Sequence, residues 1–141
     1  MLHPDLATEE RIERFVCGSI TKPLSIYSHA VIYHGTVHIS AVQGFIPGTF
    51  EFPQGGIVAE ASQMMRNLSS ILEDVDSALS KILKMVFYFK NMEKDFIFVN
   101  EVINLYIPDN SPARSSIGVS ALPRNARVVV DCLVATNSKN I

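Results

Sequence analysis

Arg114 is the residue of this chain whose surroundings most favour chemistry. It stands in Ser111-Pro112-Ala113-Arg114-Ser115-Ser116, a stretch with no other charged side chain. Pro112 fixes its own φ and biases Ser111 towards extended backbone, so the chain leaves a preceding helix here and enters a strand. A guanidinium at the start of a strand, among small hydroxyl residues, offers a planar fork of donors that suits a carboxylate or a phosphate. The plainer reading is a surface arginine beside a turn, and six residues do not separate the two. The histidines offer less. With His34-Gly35 as a hairpin turn, Val31 pairs with His38 and Ala30 with Ile39, so His29 and His38 share a face as diagonal neighbours. Two imidazoles without a carboxylate or thiolate make a poor metal site, so packing or surface roles fit them better and no metal is expected. His3 and His34 carry no chemistry of their own. Cys17 and Cys132 are far apart, with no CxxC or zinc spacing, and read as reduced, buried thiols.

The elements that must position Arg114 can be read in order. Residues 1–12 form a polar lead-in, with at most one helical turn capped by Thr8. A short first strand is expected over Arg14–Ser19, and Pro23 breaks pairing in the loop that follows. Ala30–Tyr33 and Thr36–Ser40 make a hairpin around His34-Gly35. Ala41–Gly56 is rich in glycine and proline, and a loop of that length borders a site or an interface. Ile57, Ala61, Met64, Leu68, Ile71 and Val75 form one apolar helical stripe, with Arg66, Asn67, Ser70 and Glu73 mostly on the other side. Ile82–Phe89 is nearly unbroken apolar sequence, as in a strand buried on both faces. Asp95 suits the N-cap of a second helix carrying Phe96, Val99, Ile103 and Tyr106, which Pro108 stops. Strands over Ser116–Ser120 and Arg127–Ala135, with a turn at Leu122–Asn125, complete the order β-ββ-α-β-α-ββ.

That order predicts an α+β two-layer sandwich, with about six strands in a mixed sheet and two helices on one face. The 141 residues are enough for a single domain with a core of its own. Two helices cover only one sheet face, yet Val128-Val129-Val130 and Cys132-Leu133-Val134 are apolar in both phases of the strand alternation. A second copy of the same sheet covers the other face most simply, so a closed homo-oligomer is expected. Hydrophobic content of 48% against 18% charged residues agrees with that surplus of apolar surface. No apolar run approaches the roughly 20 residues of a membrane helix, and no leader pattern opens the chain, so a cytoplasmic protein without a membrane partner is expected. A net charge of −2 and a pI near 6.0 give no basis for a nucleic-acid partner.

The ordered set Tyr27-Ser28-His29-Ala30, the hairpin ending in Ser40, Asn100 within Phe98–Val102, Pro112-Ala113-Arg114-Ser115 and Leu122-Pro123 resembles the reactive intermediate deaminase A family. This family is also called RidA, YjgF or liver perchloric-acid-soluble protein, and the resemblance runs from about Ser19 to Ala135. It implies a chorismate-mutase-like α+β fold, assembled as a homotrimer with three sites in clefts between subunits. It also implies a hydrolase that needs no cofactor and converts enamine and imine intermediates such as 2-aminoacrylate to 2-keto acids and ammonia. By resemblance, Arg114 matches the carboxylate-binding arginine, and Tyr27, Asn100 and Ser40 match residues of the cleft. Ser116 stands where many relatives have cysteine.

Two departures bear on catalysis. The glutamate that positions water in active relatives corresponds to Val129, which accepts neither a proton nor a hydrogen bond. Asp131 matches a second acid of the family; it projects from the same face as Val129, displaced by roughly 6.6 Å, and is the remaining catalytic candidate. Ala41-Val42-Gln43-Gly44 replaces a compact Ser-Gly-Gln beside the site. Two functions are therefore open: an enamine/imine deaminase, or a non-catalytic small-carboxylate binder or regulatory trimer. The ribonuclease and translation-inhibitor label of the family finds no basic stripe and no acid–base pair in this sequence.

Overall fold

The computed structural model describes residues 11–137. The lead-in expected at 1–12 lies outside them, apart from Arg11 and Ile12. The elements are β1 (Glu13–Phe15), β2 (Ala30–Tyr33), β3 (Thr36–Val42), α1 (Gly56–Asp74), β4 (Ile82–Phe89), α2 (Met92–Tyr106), β5 (Ala113–Gly118) and β6 (Val128–Ala135). They form one six-stranded sheet in the order β1-β2-β3-β6-β4-β5. The β4–β5 pair is parallel and the other pairs are antiparallel. The expected α+β sandwich and its element order are both found. None of the described helices is long and apolar enough to cross a membrane.

The hairpin has the predicted register, with Val31 opposite His38 and Ala30 opposite Ile39. His34 (φ 52°) and Gly35 (φ 74°) both adopt the left-handed backbone that a two-residue hairpin turn requires. On α1 every stripe residue is buried: Ile57, Ala61, Met64, Leu68, Ile71 and, at its C-cap, Val75. They face Met85, Phe87 and Phe89 of β4 and Val128, Val130 and Val134 of β6, all buried on the helix side of the sheet. None of the described helices lies on the opposite face, and Tyr33, Val86, Tyr88, Asp131 and Leu133 there are half-buried.

Four expectations need correction. The first strand ends at Phe15, because the Cys17 N–H turns away to His29 Nδ1 (2.8 Å) and its thiol donates to Asp74 Oδ2 (2.9 Å). α2 starts at Met92 with Asn91 at its N-cap, so Asp95 lies inside the first turn, where it is bonded to Arg127 and not to the helix end. β5 starts at Ala113, which puts Arg114 within a strand and not ahead of one. In a single chain only one face of β4 is fully buried; Val86 and Tyr88 on the other are half-buried, and Leu83 is half exposed.

The loop after β3 is held down on α1. Asn67, expected on the outer side, is buried and donates to the carbonyls of Gln43 (2.9 Å) and Phe45 (3.0 Å). Gly44 lies so close to α1 that a Cβ there would come within 2.2 Å of the Glu60 carbonyl oxygen. Only glycine fits that approach.

Candidate ligand-binding site

Arg114 pairs with Met85 across β4–β5, so its side chain rises on the helix side of the sheet. The apolar run of β4 supplies Phe87, whose ring centroid is 4.7 Å from the guanidinium carbon; α2 supplies Phe96 at 5.5 Å. Asn100, one turn further along α2, accepts Arg114 Nη1 on Oδ1 at 2.5 Å. Nη2 is buried and has no hydrogen-bond partner among the described residues. No carboxylate among the described residues is paired with this guanidinium, and burial pulls its pKa below the ordinary arginine value. A desolvated cation with a free donor is unfavourable unless an anion completes it. Ser116 pairs with Phe87 and shares this face, two residues beyond Arg114.

The other predicted residues lie elsewhere in the chain. Tyr27 OH accepts the Leu24 N–H at 3.1 Å, and Ser40 donates its hydroxyl to the Ser28 carbonyl at 2.6 Å. The register of β3 against β6 shifts between Ile39 and Val42, a bulge that includes Ser40 and Ala41. Tyr27 and Ser40 line an open pocket of about 430 Å³ with Leu24, Ser25, Ala41, Gln43 and Pro123. The sheet order places β3 three strands from β5, a lateral separation of about 14 Å. The chain therefore brings Arg114, Asn100 and Ser116 together, and Tyr27 with Ser40, at two separate places.

Asp131 and Val129 pair with Val86 and Tyr88 on the face without helices, opposite Arg114. Asp131 accepts the Tyr88 hydroxyl on Oδ2 at 3.2 Å, and its charge raises the Tyr88 pKa. Val129 is buried.

A sequence profile of the endoribonuclease L-PSP family matches residues 19–136. The chain belongs to this family. It is 33% identical over 121 residues to the RutC family protein UK114 of Drosophila melanogaster, an alignment covering 86% of this chain and 87% of that one. It is 34% identical over 124 residues to the mouse 2-iminobutanoate/2-iminopropanoate deaminase, covering 86% and 91%. A putative endoribonuclease from Thermotoga maritima superposes with a TM-score of 0.82 at 31% identity, covering 89% of this chain and 99% of that one. The RidA/YjgF resemblance and the fold it implied both hold.

In this member of the L-PSP family, several buried polar contacts have no signal in the sequence. Glu60 accepts the Arg127 N–H at 2.8 Å, and burial raises its pKa above the usual carboxylate value. Asp95 takes Arg127 Nε at 3.0 Å and Nη2 at 2.5 Å. The partners are 32 residues apart, so neither periodicity nor a local motif marks them. His29 is buried with both ring nitrogens bonded, to the Cys17 N–H and the Thr21 carbonyl, a packing role. Among the described residues no group of three His, Cys, Asp or Glu side chains is placed to hold a metal.

Proposed function

We propose that this L-PSP family member binds small 2-imino acids by their carboxylate at Arg114 and hydrolyses them to 2-keto acids and ammonia. The observation that carries this reading is the buried, unpartnered Nη2 of Arg114, backed by two aromatic rings and clamped by Asn100 through Nη1. With Nη1 committed, a carboxylate meets the edge of the guanidinium that carries Nη2. Binding there holds the adjacent C=N carbon in one place and lets the cation draw charge from it. Water adds to that carbon and the C=N π electrons move to nitrogen, which takes up a proton. The carbinolamine then expels ammonia as its hydroxyl loses a proton, leaving the C=O of the keto acid. The names of relatives such as the mouse deaminase support this reaction class.

The working site is formed between protomers of a homotrimer, with Arg114, Asn100 and Ser116 from one chain facing Tyr27 and Ser40 of the next. The separation of the two halves within one chain, and the sheet face that no helix covers, support this assembly. Asp131 lies on the other sheet face from Arg114 of its own chain, so in this assembly it is the acid proposed to hold the attacking water at a neighbouring chain's site, a task Val129 cannot perform. The buried, aliphatic Val129 favours a second reading, a trimer that binds carboxylates without turning them over.

One assay separates the two. A pyridoxal-phosphate dehydratase acting on serine releases 2-aminoacrylate, which semicarbazide traps through its imine. A deaminase suppresses semicarbazone formation, and Arg114→Ala abolishes the suppression. Wild-type protein that leaves the rate of semicarbazone formation unchanged yet binds pyruvate is a binder; an Arg114→Ala variant that suppresses it as fully as wild type overturns the role of Arg114.

A further inference from the structure

Two sets of polar contacts meet on α2, one made by Asn100 with Arg114 and the other tying Asp95 through Arg127 to α1. Glu60 on α1 holds the backbone N–H of Arg127 at the start of β6. The Arg127 guanidinium forks onto the fully buried carboxylate of Asp95, in the first turn of α2. Phe96, the next residue, packs at a tilt of 52° against Phe89 with ring centroids 5.9 Å apart and walls one side of the Arg114 guanidinium. Asn100, five residues beyond Asp95 and so about 7.5 Å along the helix axis, takes Arg114 Nη1. The N-cap Asn91 makes no side-chain cap, which leaves the Asp95–Arg127 fork as a bidentate tie between this first turn and the sheet.

We propose that Asp95 is a positioning residue for the ligand site: its fork with Arg127 sets the placement of α2, and thereby where Asn100 and Phe96 hold the Arg114 guanidinium. A buried ion pair is a weak source of net stability, because desolvation offsets most of its attraction. Its two parallel hydrogen bonds do fix direction and distance, which apolar packing leaves adjustable. A helix is stiff over one and a half turns, so a shift at Asp95 moves Asn100 with it. The inference rests on the carboxylate-binding reading of Arg114, and its first readout is independent of that reading.

The test uses the full chain as assembled, with nitrogen-15 NMR of the Arg114 Nε–H group and titration with pyruvate as the probe. Asp95→Asn removes half of the fork, and Arg127→Lys keeps the charge while removing the fork, a second variant should the first fold poorly. Both are expected to shift the Arg114 resonance as Asn100→Ala does. Each is expected to weaken pyruvate binding about tenfold, with no further loss when combined with Asn100→Ala. A merely structural role would lower the melting temperature and leave both readouts unchanged, which would overturn the inference. Additive losses in the double variants would overturn it too. If wild-type protein takes no pyruvate, the carboxylate reading fails, and the Arg114 resonance in the two variants still decides the positioning role.

Discussion

At the scale of single residues, two cationic or basic side chains show how burial determines what a group can do. Arg114 was legible as a candidate from its charge-free neighbours and its position after Pro112, but not its environment. The rings of Phe87 and Phe96 come from two other elements, so the desolvation that lowers its pKa is a tertiary effect. His29 is the reverse case, a candidate ligand on paper that the fold consumes in packing. Its Nδ1 accepts the Cys17 N–H, so the proton of the neutral ring sits on Nε2 and points at the Thr21 carbonyl. Burial lowers its pKa below 6.5. The unfolded chain therefore takes up a proton first as pH falls through about 6.5, and the folded state loses stability relative to it. The slope from this one group is at most about 1.4 kcal/mol per pH unit. Urea unfolding between pH 7.5 and pH 5 is expected to show that loss in wild-type protein and a shallower one in His29→Gln. Parallel curves would exclude His29 as its source.

At the scale of elements, α1, the hairpin and β6 were readable because their signals are periodic and local. The apolar stripe of α1 and the positive-φ pair His34-Gly35 each need only near neighbours to be recognised. Leu68 marks the centre of that stripe and is 0% exposed. Leu68→Ala is expected to lower unfolding free energy by about 2–5 kcal/mol in denaturant titration; a loss below 1 kcal/mol would mean that α1 is not the core element described. The elements misplaced by a few residues were those whose ends are set from a distance. β1 stops because His29 captures Cys17, and α2 begins at Met92 after the N-cap Asn91 while Asp95 is drawn onto Arg127. Asn67 turns inward because the Gln43 and Phe45 carbonyls need a donor. None of these partners is within a helical turn in sequence, so no spacing rule finds them.

At the scale of the whole molecule, the uncovered sheet face and the divided site point to one arrangement. Val128–Val130 and the apolar run of β4 already indicated in sequence that both sheet faces seek cover, whereas the separation of Tyr27 from Arg114 needed the strand order. In the proposed trimer, a chain carrying Arg114→Ala and a chain carrying Tyr27→Ala each spoil one half of every site. Co-assembled in equal amounts, they are expected to regain about a quarter of the wild-type sites, because a site needs Arg114 and Tyr27 from different chains. No recovery on mixing would place the whole site within one protomer. The central claim, that the free edge of Arg114 receives a carboxylate, is tested most directly by calorimetric titration of the assembled wild-type protein and of Arg114→Ala with pyruvate. The wild type is expected to take one pyruvate per chain, and the variant to lose at least about tenfold in affinity. Equal affinity in the two would contradict that claim.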